Sequence, residues 1–172
     1  MLHIAIEITR MIFIFINPLT LTGGLFMFKH ILICTDGSPL ANKAAKGGIA
    51  LAKALHAKVT AYYALEDLLP IYSEGYAFDQ QTIDRFEAGI QTVGRKRVDA
   101  IGKLAKAAGV PFASQVTKAY SPHDGIIAAA KKQKCDAIVM ASHGRSGLSK
   151  LFMGSVTQQV LAHSKLPVVV YR

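Results

Sequence analysis

Ile31-Leu32-Ile33-Cys34-Thr35-Asp36-Gly37-Ser38-Pro39 reads as a strand, a turn and the start of a helix. Four consecutive apolar residues suit a strand covered on both faces, as in a parallel sheet flanked by helices. Asp36-Gly37 stops that strand, Ser38 stands where an N-cap belongs, and Pro39 takes the first helical position. Beyond it, Ala41, Ala44, Ala45, Gly48, Ile49, Ala52 and Leu55 recur at three- and four-residue steps, so this helix turns a narrow, small-residue face to the sheet.

The same alternation continues downstream. Val59 to Leu65 is a second apolar strand, followed by a long connection from Glu66 to about Asp79 that contains Pro70 and Gly75. A connection of that length in a compact domain is usually functional or mobile. Ile83, Phe86, Ile90, Val93, Ile101, Leu104 and Ala108 mark a long helix stopped by Gly109 and Pro111. Phe112 to Thr117 is the third strand, and Ser121-Pro122-His123-Asp124 opens a third helix with capping-box spacing. Asp136-Ala137-Ile138-Val139-Met140, a helix from Ser155 and the strand Val168 to Tyr171 complete five β/α steps. The pattern predicts an α/β fold, a three-layer sandwich with a five-stranded parallel sheet. Right-handed crossovers place ligands outside the carboxyl ends of such strands, where strand order reverses.

Composition narrows the function. A chain of 172 residues fits one domain, and with 51% hydrophobic residues it is far from a disordered composition. Its net charge of +9 would suit a polyanion. The basic residues are scattered, however, and Arg95-Lys96-Arg97 and Lys131-Lys132-Lys134 fall on predicted helices with few aromatics among them, which argues against a nucleic-acid partner. Cys34 and Cys135 are too few for a disulfide framework and lack metal-ligand spacing, so reduced buried thiols and a cytoplasmic setting are expected.

The chemistry gathers near the C-terminus. Ala141-Ser142-His143-Gly144 is followed, after nine residues, by Gly154-Ser155, between an apolar strand and an amphipathic helix. Glycines let main-chain N–H groups approach an anion, and the helix start offers unpaired donors, which together make a phosphate cradle. Ser155-Val156-Thr157-Gln158 also has capping-box spacing, so Ser155 is read as a cap that can turn to phosphate. Arg145, Gly147 and Lys150 lie inside the loop. His143 is the proton-transfer candidate there, against the plainer role of a hydrogen-bonding spacer. Asp36, directly after its strand, is placed to accept from an adenine amino group or a ribose hydroxyl, or else bonds its own turn. No Gly-x-x-x-x-Gly-Lys-Ser/Thr loop and no Asp/Asn metal cluster is present, so efficient ATP hydrolysis is not expected.

These motifs carry a resemblance. Lys29-His30-Ile31-Leu32-Ile33-Cys34-Thr35-Asp36-Gly37-Ser38, the glycine loop and Leu166-Pro167-Val168-Val169-Val170 occur in the order found in the universal stress protein family, over Met27 to Arg172. The family's loop is Gly, two residues, Gly, nine residues, Gly, then Ser or Thr; here Ala141 replaces the first glycine. The resemblance implies strand order 3-2-1-4-5, with the ligand crevice between the first and fourth strands. It also implies an adenine-nucleotide site, for ATP or AMP/ADP, built from Cys34, Thr35, Asp36, Ala64, Ala141, Ser142, His143, Gly144, Arg145, Gly147, Gly154, Ser155 and Val156. Asp36 would lie beside the base, and the main chain at Ala64 would meet the adenine edge. Mg or Mn would be held by the phosphates and water, with no metal site of the protein's own. A nucleotide-responsive stress regulator follows, pairing as a homodimer through the C-terminal strand. The rivals are a slow ATPase or phosphotransfer enzyme using His143, and a nucleotide-free dimerising module.

Residues 1–26 are read as an N-terminal extension ahead of a domain spanning 27–172. Met11-Ile12-Phe13-Ile14-Phe15-Ile16 is bounded by Arg10 and Asn17-Pro18, far short of the roughly 20 residues of a membrane helix. A basic region and a small-residue cleavage pattern are also missing. A misassigned start or a dispensable extension is the preferred expectation, a membrane-associating or partner-binding arm the alternative.

Overall fold

A computed structural model of the chain describes residues 11–15, 28–66, 79–144 and 153–172. The elements run β1 (Met11–Phe15), β2 (His30–Cys34), α1 (Pro39–Ala54), β3 (Lys58–Glu66), α2 (Gln80–Ala108), β4 (Phe112–Ala119), α3 (Pro122–Lys132), β5 (Ala137–Ala141), α4 (Ser155–His163) and β6 (Val168–Tyr171). The expected connection after β3 and loop residues Arg145, Gly147 and Lys150 fall outside the described residues.

β2 to β6 form the five parallel strands anticipated, in order β4-β3-β2-β5-β6. Alternation along β2 sorts its side chains onto two faces. Ile31 and Ile33 enter one core with Ala45, Ile49 and Ala52 of α1 and Val98, Ile101 and Ala105 of α2. Leu32 and Cys34 enter the other with Ile126, Ala129 and Ala130 of α3 and Val160 of α4. The predicted small-residue face of α1 lets the helix sit close on the sheet. At Gly48, an added Cβ would stand 2.9 Å from Ile33 Cδ1 and 3.1 Å from Val139 Cγ1.

Helix ends follow the sequence in part. The Ser38 hydroxyl caps α1 by accepting from the Ala41 amide at 3.1 Å. Gly109 ends α2 in the left-handed region at φ 71°. The capping role expected of Ser155 is corrected: Gly154, extended at φ −64° and ψ 150°, is the N-cap of α4, and Ser155 is already the first helical residue. Ser121 is the N-cap of α3, but its hydroxyl makes no cap bond and instead meets His123 Nδ1 at 2.5 Å.

A second correction concerns the sheet edge. Val168–Tyr171, the outermost strand in the order 3-2-1-4-5, has neighbours on both sides: parallel β5 and antiparallel β1, the latter with Phe13 opposite Val170, Ile14 opposite Val169 and Phe15 opposite Val168. The apolar stretch of the extension therefore contributes a sixth strand.

Candidate functional site

β2 and β5 are adjacent, and their connections leave toward opposite faces: β2 runs into α1, β5 into the loop before α4. That divergence opens a crevice at the carboxyl ends of the two strands. A cavity of about 520 Å³ lies there, within the usual range for a small-molecule site. Its walls include Cys34, Thr35, Asp36, Ala64, Ala141, His143, Gly144, Gly154, Ser155 and Val156, all anticipated as ligand contacts. Ser142 is buried just behind, with its hydroxyl 3.1 Å from His143 Nδ1.

The Asp36 end is tightly organised. Asp36 Oδ1 accepts from the Ser38 amide at 2.9 Å, and Thr35 Oγ1 accepts from the Gly37 amide at 3.0 Å. Gly37, at φ 78°, makes this turn, and Arg97 of α2 reaches across to donate to the Gly37 carbonyl at 3.1 Å. Asp36 takes the turn-bonding role through Oδ1, and its Oδ2 lies toward Gly144. There, a Cβ on residue 144 would fall 2.6 Å from that oxygen.

The loop end is closed by two bonds to the end of β5. The Gly154 amide donates to the Ser142 carbonyl at 2.8 Å, and Thr157 Oγ1 donates to the Ala141 carbonyl at 2.9 Å. The Gly154 N–H is therefore engaged within the protein, and its glycine character serves close approach: an added Cβ would come 3.2 Å from His143 Cα. A glycine caps α4 and has no side chain to bond the amides of its first turn, and the first intrahelical bond goes from Gln158 N to the Gly154 carbonyl. Main-chain donors at the start of α4 thus border the cavity, as an anion requires.

The rest of the lining was not foreseen. Tyr62 and Tyr63 of β3, Ala41 of α1, Pro122 and Ile126 of α3, Met140 and Thr157 complete the lining. The Tyr62 hydroxyl pairs with Thr117 Oγ1 at 2.9 Å, and burial pushes its pKa up. Burial likewise pushes up the Cys34 thiol, so it meets the cavity as a neutral, weakly polar surface. The second-strand position at Ala64 signalled the β3 side of the lining, and the tyrosines before it are the residues that the signal left unnamed. Among the described residues, no group of three or more His, Cys, Asp or Glu is arranged to hold a metal ion.

Comparison with known proteins agrees with this architecture. The family model described as "Universal stress protein family" matches residues 27–172. The chain belongs to the universal stress protein family. A family member from Methanocaldococcus jannaschii, MJ0531, is 30% identical over 150 residues, covering 87% of this chain and 85% of its own. The solved structure of MJ0577 from the same organism superposes with a TM-score of 0.69 at 24% identity, covering 84% of this chain and 96% of its own. A universal stress protein of Archaeoglobus fulgidus, solved in complex with dAMP, has a TM-score of 0.56 at 17% identity, covering 85% and 99%. The family match begins at residue 27, so β1 lies outside it.

Proposed function

We propose that this family member binds an adenine nucleotide, ATP foremost, in the crevice between β2 and β5, and works as a nucleotide-responsive regulator in the cytoplasm. One observation carries the reading: two motifs more than a hundred residues apart, Asp36 on one side and Gly144, Gly154, Ser155 and Val156 on the other, line a single cavity of nucleotide size. The polar groups are sorted along it. Asp36 supplies a carboxylate at one end for ribose hydroxyls or a base amino group, Tyr62, Tyr63, Ala64 and Ile126 supply surface for a ring, and the first-turn amides at Ser155 and Val156 supply phosphate donors. The dAMP complex of a relative with the same fold favours an adenine ligand. Mg or Mn enters with the triphosphate, held by its oxygens and water.

Regulation rather than turnover is favoured by the surroundings of His143. Its Nδ1 is paired with the neighbouring Ser142 hydroxyl, the arrangement of a spacer that shapes the loop. Homodimerisation through β6 completes the reading, with the edge available once β1 has left it. Binding is tested by calorimetric titration of the full chain with ATP, AMP, adenosine and GTP. Saturable binding of ATP, weaker binding of adenosine and little of GTP is expected. No binding of any adenine nucleotide at millimolar concentration would defeat the reading. Phosphate release over hours would move the slow ATPase ahead.

A further inference from the structure

We infer that β1 is a detachable cap on a strand-docking edge, and that the occupant it excludes is the β6 strand of a second copy of this chain. The inference rests on the β6 dimer reading above and adds what controls it.

The edge itself identifies the kind of partner. β6 is a run of Val168-Val169-Val170-Tyr171, every residue buried, with β5 parallel on one side and β1 antiparallel on the other. The outer side therefore accepts an antiparallel strand. Two copies of β6 related by a two-fold axis meet in that orientation, each giving the same surface to the other. Without β1, the edge would expose main-chain N–H and C=O groups beside an apolar strand, which is the usual template for strand addition.

The cap is lightly held. β1 has five residues, its register slips between Met11 and Phe13, and β6 is the element against which it mainly packs. Each strand β2, β3 and β5 has strands on both sides. An outermost strand with a single neighbour is among the first parts of a fold to open. A second β6 arrives already ordered in its own sheet, so it is a competent rival for the same edge. Tethering favours the cap: β1 and the domain are joined through only 12 residues, 16–27, and a partner held in the same chain at such a separation acts at an effective concentration of roughly millimolar. At micromolar protein the cap should win. Agents that remove β1, whether cleavage or capture by another surface, would hand the edge to a second copy.

The test uses three full-length proteins followed by sedimentation velocity from about 1 to 100 μM, each first shown to melt cooperatively. The first is the native chain. Ile14→Pro removes an N–H and opposes strand geometry opposite Val169. Ile14→Cys with Val169→Cys, oxidised, locks the paired positions together. The expected result is a monomeric native chain, an Ile14→Pro protein that dimerises at least tenfold more tightly, and a locked protein that is monomeric throughout. If native and Ile14→Pro proteins share one dimer constant, the cap is overturned while dimerisation stands. A folded Ile14→Pro protein that stays monomeric overturns both. A cysteine pair that fails to cross-link, or that joins two chains, shows that β1 is not seated on its own β6 and also overturns the cap.

Discussion

Asp36 and Gly144 face each other across the crevice so closely that a Cβ on residue 144 would stand 2.6 Å from Asp36 Oδ2. The two residues come from different loops, after β2 and after β5, and the missing side chain of one makes room for the carboxylate of the other. Gly144→Ala should therefore displace either the loop or the carboxylate, at a cost of about 1–3 kcal/mol as in other overpacked sites. Asp36→Ala removes the obstacle. The double variant should recover much of the loss, and a cycle of melts is the measurement. Strict additivity of the two single effects would show that the groups do not meet.

Gly154→Val should impair ATP binding far more than adenosine binding. The branched side chain would press on His143 Cα and strain the bond from the Gly154 amide to the Ser142 carbonyl, shifting the donors of the first α4 turn. Loss of a charge-assisted bond costs about 1.5–3 kcal/mol, roughly a ten- to hundredfold weakening. Asp36→Ala should weaken ATP and adenosine alike. Calorimetric titrations of both variants with both ligands separate these patterns, and equal losses of ATP and adenosine in Gly154→Val would place the phosphates elsewhere.

Arg97 should matter to the site without lining it. Its guanidinium lies over Gly37 and donates to the Gly37 carbonyl, holding the turn that presents Asp36. Arg97→Ala should lower stability by about 0.5–1.5 kcal/mol, the net worth of one hydrogen bond. Gly37→Ala should cost more, because it combines a φ of 78° with intrusion into the Arg97 side chain. Urea unfolding of the two variants gives the comparison, and a less damaging Gly37→Ala would contradict it.

Stability should fall on both the acid and the alkaline side. Burial, with Lys58 nearby, holds His30 below its ordinary value of 6.5. Between that value and the lower folded one the unfolded chain binds more protons, so stability declines as pH drops through this window. Burial raises Cys135 from 9.0 to about 11, so the unfolded chain releases its proton first and stability declines as pH climbs between those values. Melts of native and His30→Gln proteins from pH 7.5 to 5 test the acid limb. The variant should show the shallower slope, and identical slopes would remove His30 from the account.

Much of this was legible because it is local. The Ser38 cap and the Gly109 stop are decided by a few adjacent residues, and the strand–helix alternation carried the sheet order through the family resemblance. The Ser155 cap misled because Gly154 and Ser155 both suit an N-cap, and the extended conformation of Gly154 settles which one serves. β1 was missed for a different reason. A short apolar run shows that a segment seeks burial, while its pairing with β6 joins residues at opposite ends of the chain, which no local pattern encodes. In the crevice, the loop motifs announced themselves. Tyr62, Pro122 and Ile126 belong to it only because β3 and α3 are seated beside β2, a matter of packing.

The cavity takes Ala41 from the helical layer on one side of the sheet and Ile126 and Val156 from the layer on the other. A molecule seated there touches both layers and is released when they part, so its chemical potential is coupled to the integrity of the whole fold. At a hundred times its dissociation constant a ligand of this kind adds about 2.7 kcal/mol. The melting point of the protein then works as a gauge of ligand concentration, and scarcity of that ligand would be registered first as a looser, more readily degraded chain.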